Sequence, residues 1–194
     1  MPNPTAKITF HDGSVLTLEL YPDIAPHAVA SFLDLARKGV FDHYPIERIV
    51  PGWVVDVSYH AFHTPQACYF IPNDTDSGRF LPAQLGTIGL GGYEKPYIAG
   101  GEFFFPLADA PAITGTYPIF GKVTDGIDIL RRLEQTETYP VPFPDHPDVA
   151  INTPVRPVFI DTVTVETYGQ EYPPPPHLPN MEKPLFWPTL LEEE

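Results

Sequence analysis

Cysteine is nearly absent from these 194 residues: Cys68 is the sole thiol, which excludes an internal disulfide framework and any zinc site built from several thiolates. Positive charge is scarce as well, with 11 Lys and Arg against 25 Asp and Glu and a formal net charge of −14. Phosphate contacts need clustered cations, so the chain is not expected to bind nucleic acid or an anionic membrane unaided. No stretch approaches the roughly 18 consecutive apolar residues of a membrane-crossing helix. Met1-Pro2-Asn3-Pro4 is no apolar leader either. Together these shortages lead us to expect an acidic, soluble, cytoplasmic protein.

What is present is an apolar fraction of 43%, enough to bury a core, and an unusual load of 26 prolines. Proline cannot donate to a strand ladder or sit inside a helix, so the fold must be rich in loops, edges and turns. Lys7 to Phe10 and Val15 to Leu20 alternate apolar and polar residues around His11-Asp12-Gly13-Ser14, which predicts a hairpin. Pro26 opens a segment with Val29, Phe32, Leu33 and Ala36 at helical spacing, and Gly39 supplies its stop. Ile46 to Val57 reads as a strand interrupted by Pro51-Gly52, and Ser58 to Gln84 as turn-rich chain with short strand pieces. Leu85 to Leu90, Glu102 to Phe105, Ile119 to Val123 and Val158 to Thr167 read as further strands. Asp125 to Leu133 predicts a second short helix, and Tyr139 to Pro157 a long irregular loop. Many short strands, frequent turns and two helices point to a closed antiparallel barrel, which leaves no exposed sheet edge.

The residues carry a more specific resemblance. Leu18-Glu-Leu-Tyr-Pro-Asp-Ile-Ala-Pro26, Glu47-Arg48-Ile-Val-Pro-Gly-Trp53, Gly100-Gly-Glu-Phe-Phe-Phe105 and Phe120-Gly-Lys-Val-Thr-Asp-Gly-Ile-Asp128 resemble, in order, blocks of the cyclophilin-type peptidyl-prolyl cis-trans isomerases. The resemblance implies an all-β-dominated fold, a closed eight-stranded antiparallel barrel capped by two α-helices. It places residues 1–168 in the barrel domain; residues 169–194 are a proline-rich C-terminal extension, expected to dock because its last stretch is too apolar for a solvated tail. Within that extension Pro173 to Pro176 predict polyproline II, a rigid spacer ahead of the apolar Leu185-Phe186-Trp187.

The implied reaction is rotation about an X–Pro bond in proteins, over a barrier of about 18–20 kcal/mol set by amide resonance. It needs no cofactor, nucleophile or metal. A hollow must hold the proline ring while a cationic donor meets the prolyl nitrogen, whose lone pair returns as the amide twists. A guanidinium stays charged and can be oriented. By the match, Arg48 takes the catalytic role. Trp53, Val54, Phe104 and Ile113 would line the proline pocket, Gly91, Gly92 and Glu102 would face the peptide backbone, and Tyr117 would sit at the rim. The expected partners are proline-containing peptides or unfolded protein clients; the oligomeric state cannot be read.

Several positions depart from the family pattern. The glutamine that orients the arginine is Asp56, and that of the Gly-Ser-Gln segment is Glu102. An Ala-Asn pair is replaced by Gly91-Gly92, and the Trp/His-Leu-Asp-Gly turn reads Ala112-Ile113-Thr114-Gly115. Two carboxylates for two amides imply weakened isomerisation, or a preference for basic residues beside proline. The alternatives are a non-catalytic barrel that grips proline-containing peptides, and a scaffold subunit acting through its apolar tail. Other motifs read as structural. His60 and His63 with Cys68 fall in a loop rather than a metal site, and Gly89-Leu-Gly-Gly-Tyr93 lacks the helix a phosphate loop needs.

Overall fold

The computed structural model describes residues 1–57, 64–93, 98–142 and 151–179. The chain runs β1 (Thr5–Phe10), β2 (Val15–Leu20), α1 (Pro26–Arg37), β3 (Tyr44–Ile46), β4 (Arg48–Val50), β5 (Val54–Asp56) and β6 (Phe70–Ile71). It continues with β7 (Thr87–Gly92), β8 (Ile98–Pro106), β9 (Ile119–Asp125), α2 (Ile127–Glu134), β10 (Thr138–Val141), β11 (Ile151–Pro154) and β12 (Val158–Glu166). The alternating runs at the start pair as expected: Ile8 faces Leu16 across the hairpin, whose turn puts Gly13 at φ 81° and ties Ser14 N to Asp12 Oδ1 at 2.9 Å.

The main sheet is antiparallel throughout and follows the order β3-β12-β1-β2-β9-β7-β8-β5-β4, with β6 added beside β8. Nine strands lie on that path where the resemblance implied eight, and the reason is local. β3 and β4 stand at the two ends of the path yet are separated in sequence by Glu47 alone. β3 pairs with β12 and β4 pairs with β5, so one stretch changes partner at Glu47 and its backbone joins the two ends of a nearly closed barrel. The fold class expected from sequence stands, with that single strand broken in two.

One face of each strand feeds a common core. Ile8, Leu16, Leu18, Ile49, Val55, Ile88, Leu90, Phe103, Phe105 and Phe120 are buried together, and α1 lays Val29, Phe32 and Leu33 onto them. Phe32 meets Phe41, Phe103 and Phe120 with ring centroids 5.4–5.5 Å apart, the spacing at which aromatic pairs gain beyond their area. Nothing at the head of α1 itself caps it; Asp74 reaches across, accepting from Ala28 N at 2.9 Å and His27 N at 3.1 Å. That remote carboxylate meets the positive end of the helix dipole.

The stretch expected to be an irregular loop is a correction. β10 and β11 form a separate two-stranded ribbon, Tyr139 facing Thr153 and Pro140 facing Asn152. Its prolines are tolerated because a ribbon of two strands is all edge, so a missing N–H can face outward. His60, His63, residues 143–150 and the apolar tail around Trp187 lie outside the described residues.

Candidate active site

The outer face of the barrel carries the site. Directly opposed residues of antiparallel neighbours share a face, as do residues two apart on one strand. Arg48 opposes Asp56, Asp56 opposes Phe104, and Phe104 opposes Gly89, so these four form one row across β4, β5, β8 and β7. Val50, Val54 and Pro106 form the next row. Glu102 stands two residues from Phe104 on β8 and shares its side. The alternate residues, Ile49, Val55, Phe103 and Phe105, point the other way into the core.

The Arg48 guanidinium reaches Asp56, Nη1 to Oδ2 at 3.5 Å, with side chains only 15% and 19% exposed. Hence the one cation of the row is already charge-paired, in surroundings where pairing is screened less than in water. Beside it lies a second apolar cluster, separate from the barrel core. Val54, Ala83, Phe104, Ala110 and Ile119 are buried there, and Val50, Trp53, Leu81, Ile113 and Tyr117 pack against them half-exposed. The expected pocket residues Trp53, Val54, Phe104 and Ile113 are therefore brought together, with Tyr117 edge-on to Phe104 at 6.3 Å and 76°.

Local chemistry holds each of these in place. The Pro51-Gly52 turn sets Gly52 at φ 71° and returns Trp53 N to Val50 O at 2.9 Å. Glu134 of α2 braces that turn by accepting from Gly52 N at 2.7 Å. Ile113 sits in a turn laced to the preceding loop: Thr114 Oγ1 accepts from Ala83 N at 3.0 Å and donates to Ala110 O at 3.1 Å. Gly89 is required by the Phe104 ring, because a Cβ there would lie 2.7 Å from Phe104 Cζ.

Around the rim, Tyr117 Oη donates to Gly92 O at 3.3 Å, and Gly91 backs onto the Glu102 carbonyl. Glu102 is 8% exposed, and Tyr93 Oη donates to its Oε1 at 2.6 Å, a short charge-assisted bond. Tyr44, on the core side, is held well above its ordinary phenol range by burial first and by the negative charge of Glu102 next. Its hydroxyl has no hydrogen-bond partner among the described residues. Sequence reasoning missed Tyr93, Leu81, Ala83, Ala110 and Ile119. Leu81 and Ala83 fall in turn-rich chain without period, and only the fold sets them against the pocket.

The sequence model described as "Cyclophilin type peptidyl-prolyl cis-trans isomerase/CLD" matches residues 5–162. The chain belongs to the cyclophilin-type peptidyl-prolyl cis-trans isomerase family. Peptidyl-prolyl cis-trans isomerase B of Bacillus subtilis is 30% identical over 130 residues, covering 66% of this chain and 90% of that protein. A Brucella suis protein named "Probable peptidyl-prolyl cis-trans isomerase" is 29% identical over 144 residues, 69% and 73% of the two chains. Among solved structures, a Cryptosporidium parvum cyclophilin superposes with a TM-score of 0.65 at 20% identity, over 84% of this chain and 97% of that one. The same cyclophilin solved in the presence of the dipeptide Ala-Pro superposes equally well, with a TM-score of 0.65. At that identity these two support the fold, while the family match supports isomerase activity.

Proposed function

We propose that this cyclophilin-family chain catalyses cis–trans rotation of X–Pro bonds at the outer-face row, with Arg48 as the group that meets the prolyl nitrogen. The observation that carries the reading is the juxtaposition of one guanidinium with the apolar cluster of Trp53, Val54, Phe104 and Ile113. The ring of a bound proline would rest on that cluster, and Gly91, Gly92 and Glu102 would line the run of the peptide backbone. As the amide twists, its nitrogen becomes pyramidal and regains a lone pair. A donor from Arg48 then bonds more strongly in the transition state than in either ground state, the condition for acceleration rather than mere binding.

The acidic departures shape which peptides are served. Asp56 orients the guanidinium but offsets part of its charge, and Glu102 adds a second carboxylate beside the same groove. Proline-containing segments with a lysine or arginine next to proline suit this face better than neutral ones. A coupled cis/trans assay on matched peptides, with and without flanking lysine, tests it. The expected result is a higher kcat/KM for the lysine peptides, falling toward the neutral value with added salt. Equal rates for both series would remove the preference, and undetectable rates with retained peptide binding would leave a binding module.

A further inference from the structure

The family match ends at residue 162, and residues 163–179 beyond it stay on the barrel. Gln170 Nε2 donates to Pro2 O at 2.7 Å, and Tyr172 packs onto the main core. Pro175 is buried within the Pro173 to Pro176 run. His177 stacks on Tyr69, ring centroids 3.8 Å apart and 14° from parallel. Leu178 N donates to Phe70 O at 2.8 Å, extending the β6 edge, and the Leu178 side chain packs onto the cluster of Cys68, Phe70 and Ala99, against which Tyr93 packs as well.

Both of the last contacts lead to the same three residues of β8. Tyr69, beneath His177, occupies the space a Cβ on Gly100 would need, and its hydroxyl meets Ser31 Oγ at 2.8 Å. Ser31 in turn donates to Gly100 O at 2.7 Å. Tyr93, edge-on to the same Phe70 ring at 6.3 Å and 84°, donates to Glu102 Oε1 at 2.6 Å. The C-terminal segment thus grips β8 from two sides, two residues apart, at the end of the strand that carries Glu102 and Phe104.

We propose that residues 170–179 form a strap that positions the Glu102 carboxylate through Phe70 and Tyr93, making Leu178 and Tyr93 positioning residues for the choice of residue beside proline. The proposal rests on reading the Arg48–Phe104 row as the peptide groove. A carboxylate on an untethered side chain spends most of its time in other rotamers. One held by packed Tyr93 is ready to meet a cation without that loss. The strap lies beyond the matched region of residues 5–162.

The test is a double-mutant cycle on the full-length protein, using Leu178→Ala and Tyr93→Phe, singly and together. Affinity is measured by calorimetry for a neutral X–Pro peptide and for the same peptide with lysine before proline, with thermal melts as the check on folding. Each single variant should lose the lysine preference by about fivefold, the loss of roughly one net hydrogen bond, and the pair should lose no more than either alone. Additive losses, or a Leu178→Ala protein that keeps its full preference, would overturn the strap and leave the groove standing. A wild type that binds no X–Pro peptide would overturn the groove reading and the strap's role with it. Amide exchange at Gly100 to Glu102 gives a second, ligand-free readout, expected to quicken in Leu178→Ala.

Discussion

Replacing Gly89 with alanine puts a methyl group where the row has no room. Its Cβ would lie 2.7 Å and 2.9 Å from Cζ and Cε1 of Phe104, and 2.8 Å from Cδ1 of Ile119. Carbon atoms settle at about 3.5–4.0 Å, so the ring and the isoleucine must each withdraw by about 1 Å. The ring is 5% exposed with Val54, Ala110 and Ile119 around it, and it cannot retreat inward because Phe103 and Phe105 fill the core side. Overpacking of this kind costs about 1–3 kcal/mol, and each kcal/mol lowers Tm by about 2–4 °C in a chain of this size. The displaced ring must move outward, into the hollow where the proline would rest. KM for an X–Pro peptide should therefore rise several-fold beyond what the loss of stability explains. Gly91→Ala is the control for stability alone, since a Cβ there would first meet the Glu102 carbonyl at 3.4 Å, an ordinary contact. Melting curves on both variants and peptide titrations of Gly89→Ala against wild type decide the matter. A Gly89→Ala protein that melts lower but binds peptide normally would show that Phe104 is core and not pocket floor.

Asp74→Ala removes acceptors from two N–H groups at the head of α1 and should cost about 2 kcal/mol in urea titration, with Asp74→Asn recovering part of it. Tyr44→Phe deletes a buried hydroxyl with no partner among the described residues, and should leave stability unchanged or raise it by about 1 kcal/mol; a drop would reveal a partner. Alkaline titration provides a further check, because burial pushes the Tyr69 phenol up to about 12 from an ordinary 10.0. A phenol harder to ionise in the fold than in the unfolded chain contributes stability fully present below pH 10.0 and lost as pH rises toward about 12. The wild type should thus lose roughly 2–3 kcal/mol across that window, and Tyr69→Phe should lose less.

The barrel was legible because its signals are local. The Asp12-Gly13 hairpin, the Pro26-to-Gly39 helix and the alternation from Val158 onward each follow from spacing and turn chemistry within a dozen residues. The candidate site was legible only through resemblance, because Arg48, Asp56 and Phe104 are scattered in sequence and meet through strand register. The features that escaped depend on distance or on edges. The Asp74 cap is 46 residues from the amide it serves, and the β10–β11 ribbon hides its pairing behind prolines that only an all-edge ribbon tolerates. One strand becomes two at Glu47 because the chain there passes from one end of the sheet path to the other, which no periodicity can announce.

The most direct test of the account is exchange spectroscopy on an X–Pro peptide mixed with substoichiometric protein. Cis and trans resonances should exchange far faster with wild type than without it, and lose most of that acceleration with Arg48→Ala while the peptide still binds. Arg48→Lys should recover only a fraction, because an ammonium lacks the planar fork. Undiminished exchange in Arg48→Ala would contradict the assignment of the guanidinium, whatever the fate of the barrel around it.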